Sequence, residues 1–383
     1  MPFKDDSIQA PVLSAQDGQG NSVDQSSGQF AVYDGQAGPI TKIAAVNAIL
    51  GLFTLGIYRF WGKTRMRQHL WSRITILGDR LEYTGTPKEL LLGFLFAAVI
   101  MGLISIGLYV INILIPSVEG QVVVTILYVI GLYFLTFFAI FRARRYRLTR
   151  TQWRGVRFSQ TGTGRGYAFR AMGLLLLTGI TLGLCYPYMQ TRLQEYRTNN
   201  TWFGNRNLVF DGLAYDLFWK WVLALVLYIP TLGISILWYN VNEFRYFTSR
   251  TRFSSLSFSS SLSTMNVFLI LLVYGIAVGV LWIALSTAAE SVVDFGSLSV
   301  TMEAGQAPDI SPELVLGIVV MALIFVSLMN VLRFTLYLHP MIRAVSETLM
   351  VTGSIDVDDI KQSDAERGSR GEGFADVLDV GAI

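Results

Sequence analysis

Thr54-Leu55-Gly56-Ile57, Thr181-Leu182-Gly183-Leu184 and Thr231-Leu232-Gly233-Ile234 are three versions of one fragment, each inside an apolar stretch that runs into a polar, aromatic-rich segment. A fragment copied within one chain announces a repeated structural unit, so its surroundings decide the fold. About half of the 383 residues are apolar (52%) and only 15% are charged. The charges fall in a few intervals. Uncharged windows cover residues 43–58, 90–118, 121–141, 171–191, 221–242, 253–289 and 314–332. An apolar helix needs roughly 20 residues to cross a bilayer, with about 17 as the lower limit, so six windows suffice and the first is marginal. Residues 1–40 carry Asp5, Asp6, Asp17, Asp24 and Asp34 against Lys4, with no apolar run. That pattern argues against a cleaved leader and makes the first window its own insertion signal.

Lys and Arg near span ends tend to remain cytoplasmic. Residues 59–88 hold seven bases and residues 142–170 hold nine Arg with no acid. Both segments are expected in the cytoplasm. The connection at 115–120 has only Glu119, and that at 288–313 has Glu290, Asp294, Glu303, Asp309 and Glu313 without a base, which suits the outside. Two helical hairpins are expected, over 90–141 and 265–338.

The fold class expected is an all-α polytopic membrane protein with about seven transmembrane helices, internal repeats and short cytoplasmic strands or hairpins. The rival reading has four spans plus three re-entrant or interfacial segments. Gly51 and Gly56, Gly179, Gly183 and Pro187, and Pro230 with Gly233 break the three Thr-Leu-Gly windows and favour the rival. Window lengths of 21 and 22 residues favour seven. The segment 192–220, with four bases and three acids, does not discriminate.

The repeat is clearest after the apolar windows. At an offset of 77 residues, Arg67, Ser72-Arg73, Gly78, Arg80 and Thr84-Gly85-Thr86 match Arg144, Thr149-Arg150, Gly155, Arg157 and Thr161-Gly162-Thr163. The copies are placed at 29–89, 135–166, 171–215 and 221–262, with a degenerate fifth at 332–356. Together they form a membrane domain over 29–350, between a disordered tail at 1–28 and an acidic tail at 356–383. Each copy reads as an apolar helix with interfacial aromatic anchors, then a basic helix, then a short alternating strand closed by a turn such as Arg80-Leu81-Glu82-Tyr83-Thr84-Gly85. The expected anchors are Tyr58, Trp61, Trp153, Trp219, Trp221 and Trp238. Gln29 to Gly35 has the same strand-and-turn form.

The Phe30 to Gly35 strand, the segment from Thr54 to Arg65 with its Phe60-Trp61-Gly62-Lys63, and the Tyr83-Thr84-Gly85-Thr86 turn leading to Glu89-Leu90-Leu91 resemble the bacterial inner-membrane proteins grouped as domain of unknown function 898, the YjgN-like family. The resemblance spans about residues 29–350. It implies a polytopic bacterial inner-membrane protein and no established activity, substrate or cofactor.

Enzyme chemistry finds little footing. His69, His339 and Cys185 are the chain's only His and Cys, without metal-ligand spacing, so no catalytic, metal or cofactor site is assigned. Thr161 to Gly166 lacks the Lys-Ser/Thr ending of a phosphate loop and reads as a turn. The Arg-rich stretch 142–157 is the strongest binding candidate, because seven of its residues are Arg and none is acidic. Arg73, Arg150 and Arg250 share one register in three copies, each after Ser or Thr. A topogenic charge needs no fixed register; a structural or ligand contact does. Arg65, Arg144 and Arg192 complete the candidate set for anionic lipid. Nucleic acid is not indicated, since bilayer proximity explains the interleaved rings. The leading functional reading is a transporter or channel-like protein for an anionic, lipid-like or amphipathic solute. The alternative is a scaffold whose basic layer binds anionic lipid or a protein, with the acidic tail as a further partner site.

Overall fold

Gln29 to Tyr33 is one extended segment in two pieces, β1 (Gln29–Phe30) and β2 (Val32–Tyr33), and these two pieces pair with different neighbours. A computed structural model of the chain describes residues 28–115, 117–292, 312–353 and 360. The tails at 1–28 and 356–383 and the acidic connection at 288–313 fall largely outside the described residues.

Five successive stretches follow one path: a strand, an outgoing helix, a reversal, a return helix and a second strand. The first unit is β1/β2, α1 (Ala37–Phe53), α2 (Arg59–Trp71) and β3 (Ile74–Ile76). The second is β4 (Asp79–Tyr83), α3 (Pro87–Leu114), α4 (Val118–Thr149) and β5 (Thr151–Trp153). The third is β6 (Val156–Gln160), α5 (Gly164–Ile180), α6 (Tyr186–Asn199) and β7 (Thr201–Phe203). The fourth is β8 (Arg206–Phe210), α7 (Tyr215–Val226), α8 (Ile234–Ser249) and β9 (Thr251–Phe253). The fifth is β10 (Leu256–Ser260), α9 (Thr264–Val292), α10 (Pro312–Leu332), a π-helical stretch (Arg333–Leu338), α11 (His339–Thr348) and β11 (Leu349–Thr352).

The strands form one antiparallel sheet in the order β1-β11-β10-β9-β8-β7-β6-β5-β4-β3-β2. Because β1 and β2 are consecutive pieces of one segment, the two ends of the sheet meet there and the sheet curls into a near-closed barrel. Closure removes the exposed edges that short strands otherwise leave. Two-residue turns join the hairpins, with Leu77-Gly78 and Arg154-Gly155 both at positive φ, as type I′ turns require. Trp153, Phe203 and Phe253 end the alternate strands β5, β7 and β9 and form the barrel core with Leu256, Val351 and Ile360. The all-α expectation is therefore corrected by an eleven-stranded sheet. The short strands expected in each copy are present, and strands of two to five residues are stable only through such mutual pairing.

Four helical segments are long and apolar enough to cross a bilayer: Pro87–Leu114, Val118–Thr149, Thr264–Ala288 and Val315–Thr348. The seven-span expectation is not confirmed. Each Thr-Leu-Gly window is a helical hairpin that reverses at the motif. At roughly 1.5 Å per residue the outgoing helices α1, α5 and α7 reach only about 26, 26 and 18 Å, below the roughly 30 Å of hydrocarbon.

The reversal has one hydrogen-bond scheme, repeated three times. Gly56 N–H donates to Gly51 O (2.7 Å), Gly183 to Thr178 O (2.7 Å) and Gly233 to Tyr228 O (2.9 Å), with Leu55, Leu182 and Leu232 left-handed at φ near 50°. This is a Schellman ending with Leu where glycine is usual. The Thr hydroxyls of 54, 181 and 231 donate back to Leu50, Leu177 and Leu227 carbonyls and accept from Tyr58, Cys185 and Ser235 N–H. One side chain thus ends the outgoing helix and caps the return helix. A turn so satisfied tolerates hydrocarbon, where an open polar backbone would not. Leu182 and Leu232 at its tip are 91% and 94% exposed within the protein. Because every strand joins one sheet, β7 and β8 of segment 192–220 lie on the same face as segments 59–88 and 142–163, against the outside position that seven spans require.

Candidate functional site

The shared Arg register sits where each return helix meets the sheet. There the carbonyls of Arg73, Arg150, Asn200, Arg250 and Thr348 accept from the N–H groups of Asp34, Thr84, Thr161, Asp211 and Ser261, closing the base of all five units. The side chains brace the same junction. Arg150 binds Glu89 of α3 through two hydrogen bonds (3.1 and 2.7 Å), and Tyr146 donates to the same carboxylate (2.7 Å). Unit four repeats the arrangement with Arg250, Tyr246 and Asp216 at 3.4 and 2.7 Å. Arg73 lies 3.6 Å from Asp34. Asn200 accepts from Thr161 Oγ1 instead (3.2 Å). Fixed register therefore has a structural cause. Its sequence signal was an acid four residues after the turn glycine, Glu89 after Gly85 and Asp216 after Gly212.

The remaining expected residues scatter. Arg65 is exposed on α2. Arg144 is half-buried and reaches Thr201 Oγ1 (3.5 Å). Tyr58 and Trp61 stack near the tip of the first hairpin, with ring centroids 6.2 Å apart. Trp219 is exposed on α7 and Trp238 is partly buried. Two anchors are corrected. Trp153 is a barrel-core residue donating to Ile76 O (3.2 Å), and Trp221 is enclosed by Tyr186 and Tyr239, donating to Gly183 O (2.9 Å). Both positions bury an indole whose N–H finds a carbonyl, which sequence cannot separate from an interfacial one.

Arg192 lies on the rim of a recess of about 750 Å³ between α5 and α6. Helix α5 contributes Phe169, Arg170, Gly173 and Leu174; α6 contributes Arg192, Glu195, Tyr196 and the two Asn at 199 and 200. Arg170 lies over the Tyr196 ring at 4.5 Å and Arg192 pairs with Glu195 at 2.8 Å. Gly173 opens the wall, while exposed Phe169, Leu176 and Ile180 continue an apolar track toward the hairpin tip. Cationic at the sheet end and apolar beyond, the recess has the polarity of an amphiphile with an anionic head. Sequence reasoning passed over Arg170 because it counted it only as loop charge.

Beside this hairpin, Tyr239 donates to Glu243 Oε1 (3.3 Å). Burial pushes the Glu243 carboxyl up to about 7, against the smaller opposing effects of that hydrogen bond and of Arg197. His69 is pulled below its ordinary value by burial and then by Arg73. Among the described residues no three His, Cys, Asp or Glu gather as metal ligands.

A family model described as a bacterial protein of unknown function (DUF898) matches residues 29–377. The chain is 25% identical over 207 residues to the inner membrane protein YjgN of Escherichia coli, a match covering 51% of this chain and 49% of that protein. The chain thus spans about half the length of the curated relative it matches. No solved structure matches it.

Proposed function

Since the chain belongs to the DUF898 family of bacterial proteins of unknown function and is a multi-pass inner-membrane protein, we propose that it binds and moves an anionic amphiphile, with its sheet in the cytoplasm. The observation that carries this reading is the recess between α5 and α6, where Arg170 and Arg192 stand at the head of an apolar track. A phosphate or carboxylate head pairs with the guanidinium groups, and the chain lies along Phe169, Leu176 and Ile180. Hairpins that end inside the bilayer leave room for such a molecule beyond their tips, and the transfer requires no buried charge.

A second reading keeps the binding and drops the movement: a scaffold gripping anionic lipid. It draws on the basic layer beside the sheet, where Arg65 and Arg192 are exposed. Purified protein in phosphatidylglycerol vesicles, assayed for transbilayer movement of a fluorescent analogue and for co-purifying lipid, separates the two. Transport predicts movement that falls at least tenfold in Arg170→Glu/Arg192→Glu with unchanged folding. Lipid retention without movement favours the scaffold, and a double variant that retains lipid and flux contradicts both.

A further inference from the structure

The 77-residue repeat places Arg67 and Tyr83 at the same positions as Arg144 and Gln160, yet the two pairs behave differently. Arg67 donates to the Tyr83 hydroxyl at 3.1 Å and lies over its ring at 5.7 Å, filling the junction between return helix, sheet and next outgoing helix. The aromatic ring at this strand position also folds over the glycine two residues on: Tyr33 over Gly35, Tyr83 over Gly85 and Phe210 over Gly212 all lie within 2.6 Å of where a Cβ would stand. Unit three alone among these puts an amide there. Gly162 is approached by Tyr196 and Asn200 instead.

The replacement leaves polar atoms stranded. Gln160 is 2% exposed, and both its amide oxygen and its amide nitrogen are buried without a partner. Gln160 faces Thr201 directly across β6 and β7, so the two side chains leave the sheet on one side. Arg144 reaches the Thr201 hydroxyl only at 3.5 Å, and its Nε is buried and unbonded. Arg197, whose carbonyl accepts from Thr201 Oγ1 at 2.7 Å, also has a buried, unbonded Nε and lies within electrostatic range of Arg144. Arg144 and Gln160 therefore meet at Thr201 with donors to spare, and the Arg197 guanidinium lies within electrostatic range of Arg144 and of Glu243. The buried, unbonded nitrogens of both arginines and of Gln160 call for an acceptor, because a donor taken out of water without a partner is costly.

We propose that Arg144, Gln160, Arg197 and Thr201 form a binding site for a phosphate-type oxyanion, standing where Tyr83 fills the equivalent space one unit earlier. The site is separate from the recess: it lies at the inner, sheet-facing side of α6, and either can fail without the other. Gln160 Nε2 and the two arginines donate to the oxyanion, and Gln160 Oε1 accepts from a protonated phosphate oxygen. The oxyanion is a free phosphate or the head of a phospholipid.

The test is Gln160→Tyr, which restores the ring and hydroxyl of the neighbouring unit, with Arg197→Gln as a second variant. Full-length protein in neutral detergent is melted with and without inorganic phosphate at constant ionic strength, with chloride as control, and its bound phospholipid is counted by native mass spectrometry. Stabilisation of the wild type by phosphate, lost in Gln160→Tyr while that variant melts no lower in chloride, identifies free phosphate. A phospholipid retained by the wild type, with at least tenfold lower occupancy in both variants, identifies a headgroup. Wild type and Gln160→Tyr that respond alike to phosphate and carry the same lipid would overturn the proposal.

Discussion

Units two and five carry helices long and apolar enough to cross a bilayer, whereas units one, three and four are shorter hairpins that reverse at Thr-Leu-Gly, although all five rest on the same sheet and close with the same backbone hydrogen bond. The base of a unit is thus independent of its length. What sets the length is the Thr-Leu-Gly reversal, present in the three short hairpins and absent from α3 and α4. Polytopic architecture here comes from one module in two lengths, so apolar content alone does not count crossings.

The largest expected effect attacks the short hairpins at their tips. Leu182→Arg places a charge at an apolar turn, and if that turn sits in hydrocarbon the cost is about 3 kcal/mol, seen as a collapse in folded yield and melting temperature. A tip in water keeps the change within about 0.5 kcal/mol, which would erase the distinction between the two lengths.

Glu243 sharpens the comparison, since it lies on α8 of a short hairpin. Its folded value near 7 stands above the ordinary 4.5, so ionisation is disfavoured in the folded state. Stability is highest below the ordinary value, falls as pH rises from about 4.5 to 7, and stays reduced above that. Glu243→Gln removes this dependence and stabilises the protein at pH 8 by on the order of 3 kcal/mol. Melting curves at pH 5.5 and 8 check it; equal pH dependence in both proteins would contradict the assignment.

The bases of the two lengths differ in burial. Arg150 is 14% exposed at its pair with Glu89, and Arg250 is 44% exposed at its pair with Asp216. Glu89→Gln should therefore cost about 2 kcal/mol and Asp216→Asn about 0.5 kcal/mol, measured by urea or thermal unfolding in detergent. A reversed order would place the firmer base in the short hairpin.

The smallest contrast is the same substitution with opposite sign. Gly183→Ala strains a reversal whose φ is +89°, costing about 1 kcal/mol, although nothing crowds its Cβ. Gly131→Ala, in the long helix α4 with equally open surroundings, should stabilise by about 0.5–1 kcal/mol.

Sequence carried the repeat, the apolar windows and the strand-and-turn segments, because periodicity and fixed offsets survive in residue identity. It carried the reversal only as the glycine and proline breaks behind the four-span reading, set against window length. An uncharged window of 21 residues reads the same straight or folded, and the Leu that precedes each tip glycine gives no sign that it too is left-handed. Barrel closure was also hidden, since Gln29 to Tyr33 meets β11 across more than 300 residues. At the candidate sites, the Arg register is legible while its carboxylate partners lie 61 and 34 residues away, and Gln160 differs from the Tyr83 that fills the matching space only in three dimensions.

Impermeant-thiol labelling of Asn205→Cys, in a protein whose Cys185 has been replaced, tests the central claim most directly. Asn205 lies in the β7–β8 turn, between two short hairpins. With all five units on one sheet, it should react only after the cytoplasmic face is exposed, together with cysteines placed in the turns at Gly78 and Gly155. Labelling of Asn205→Cys from outside intact cells would put that turn across the membrane from its sheet neighbours and contradict the account.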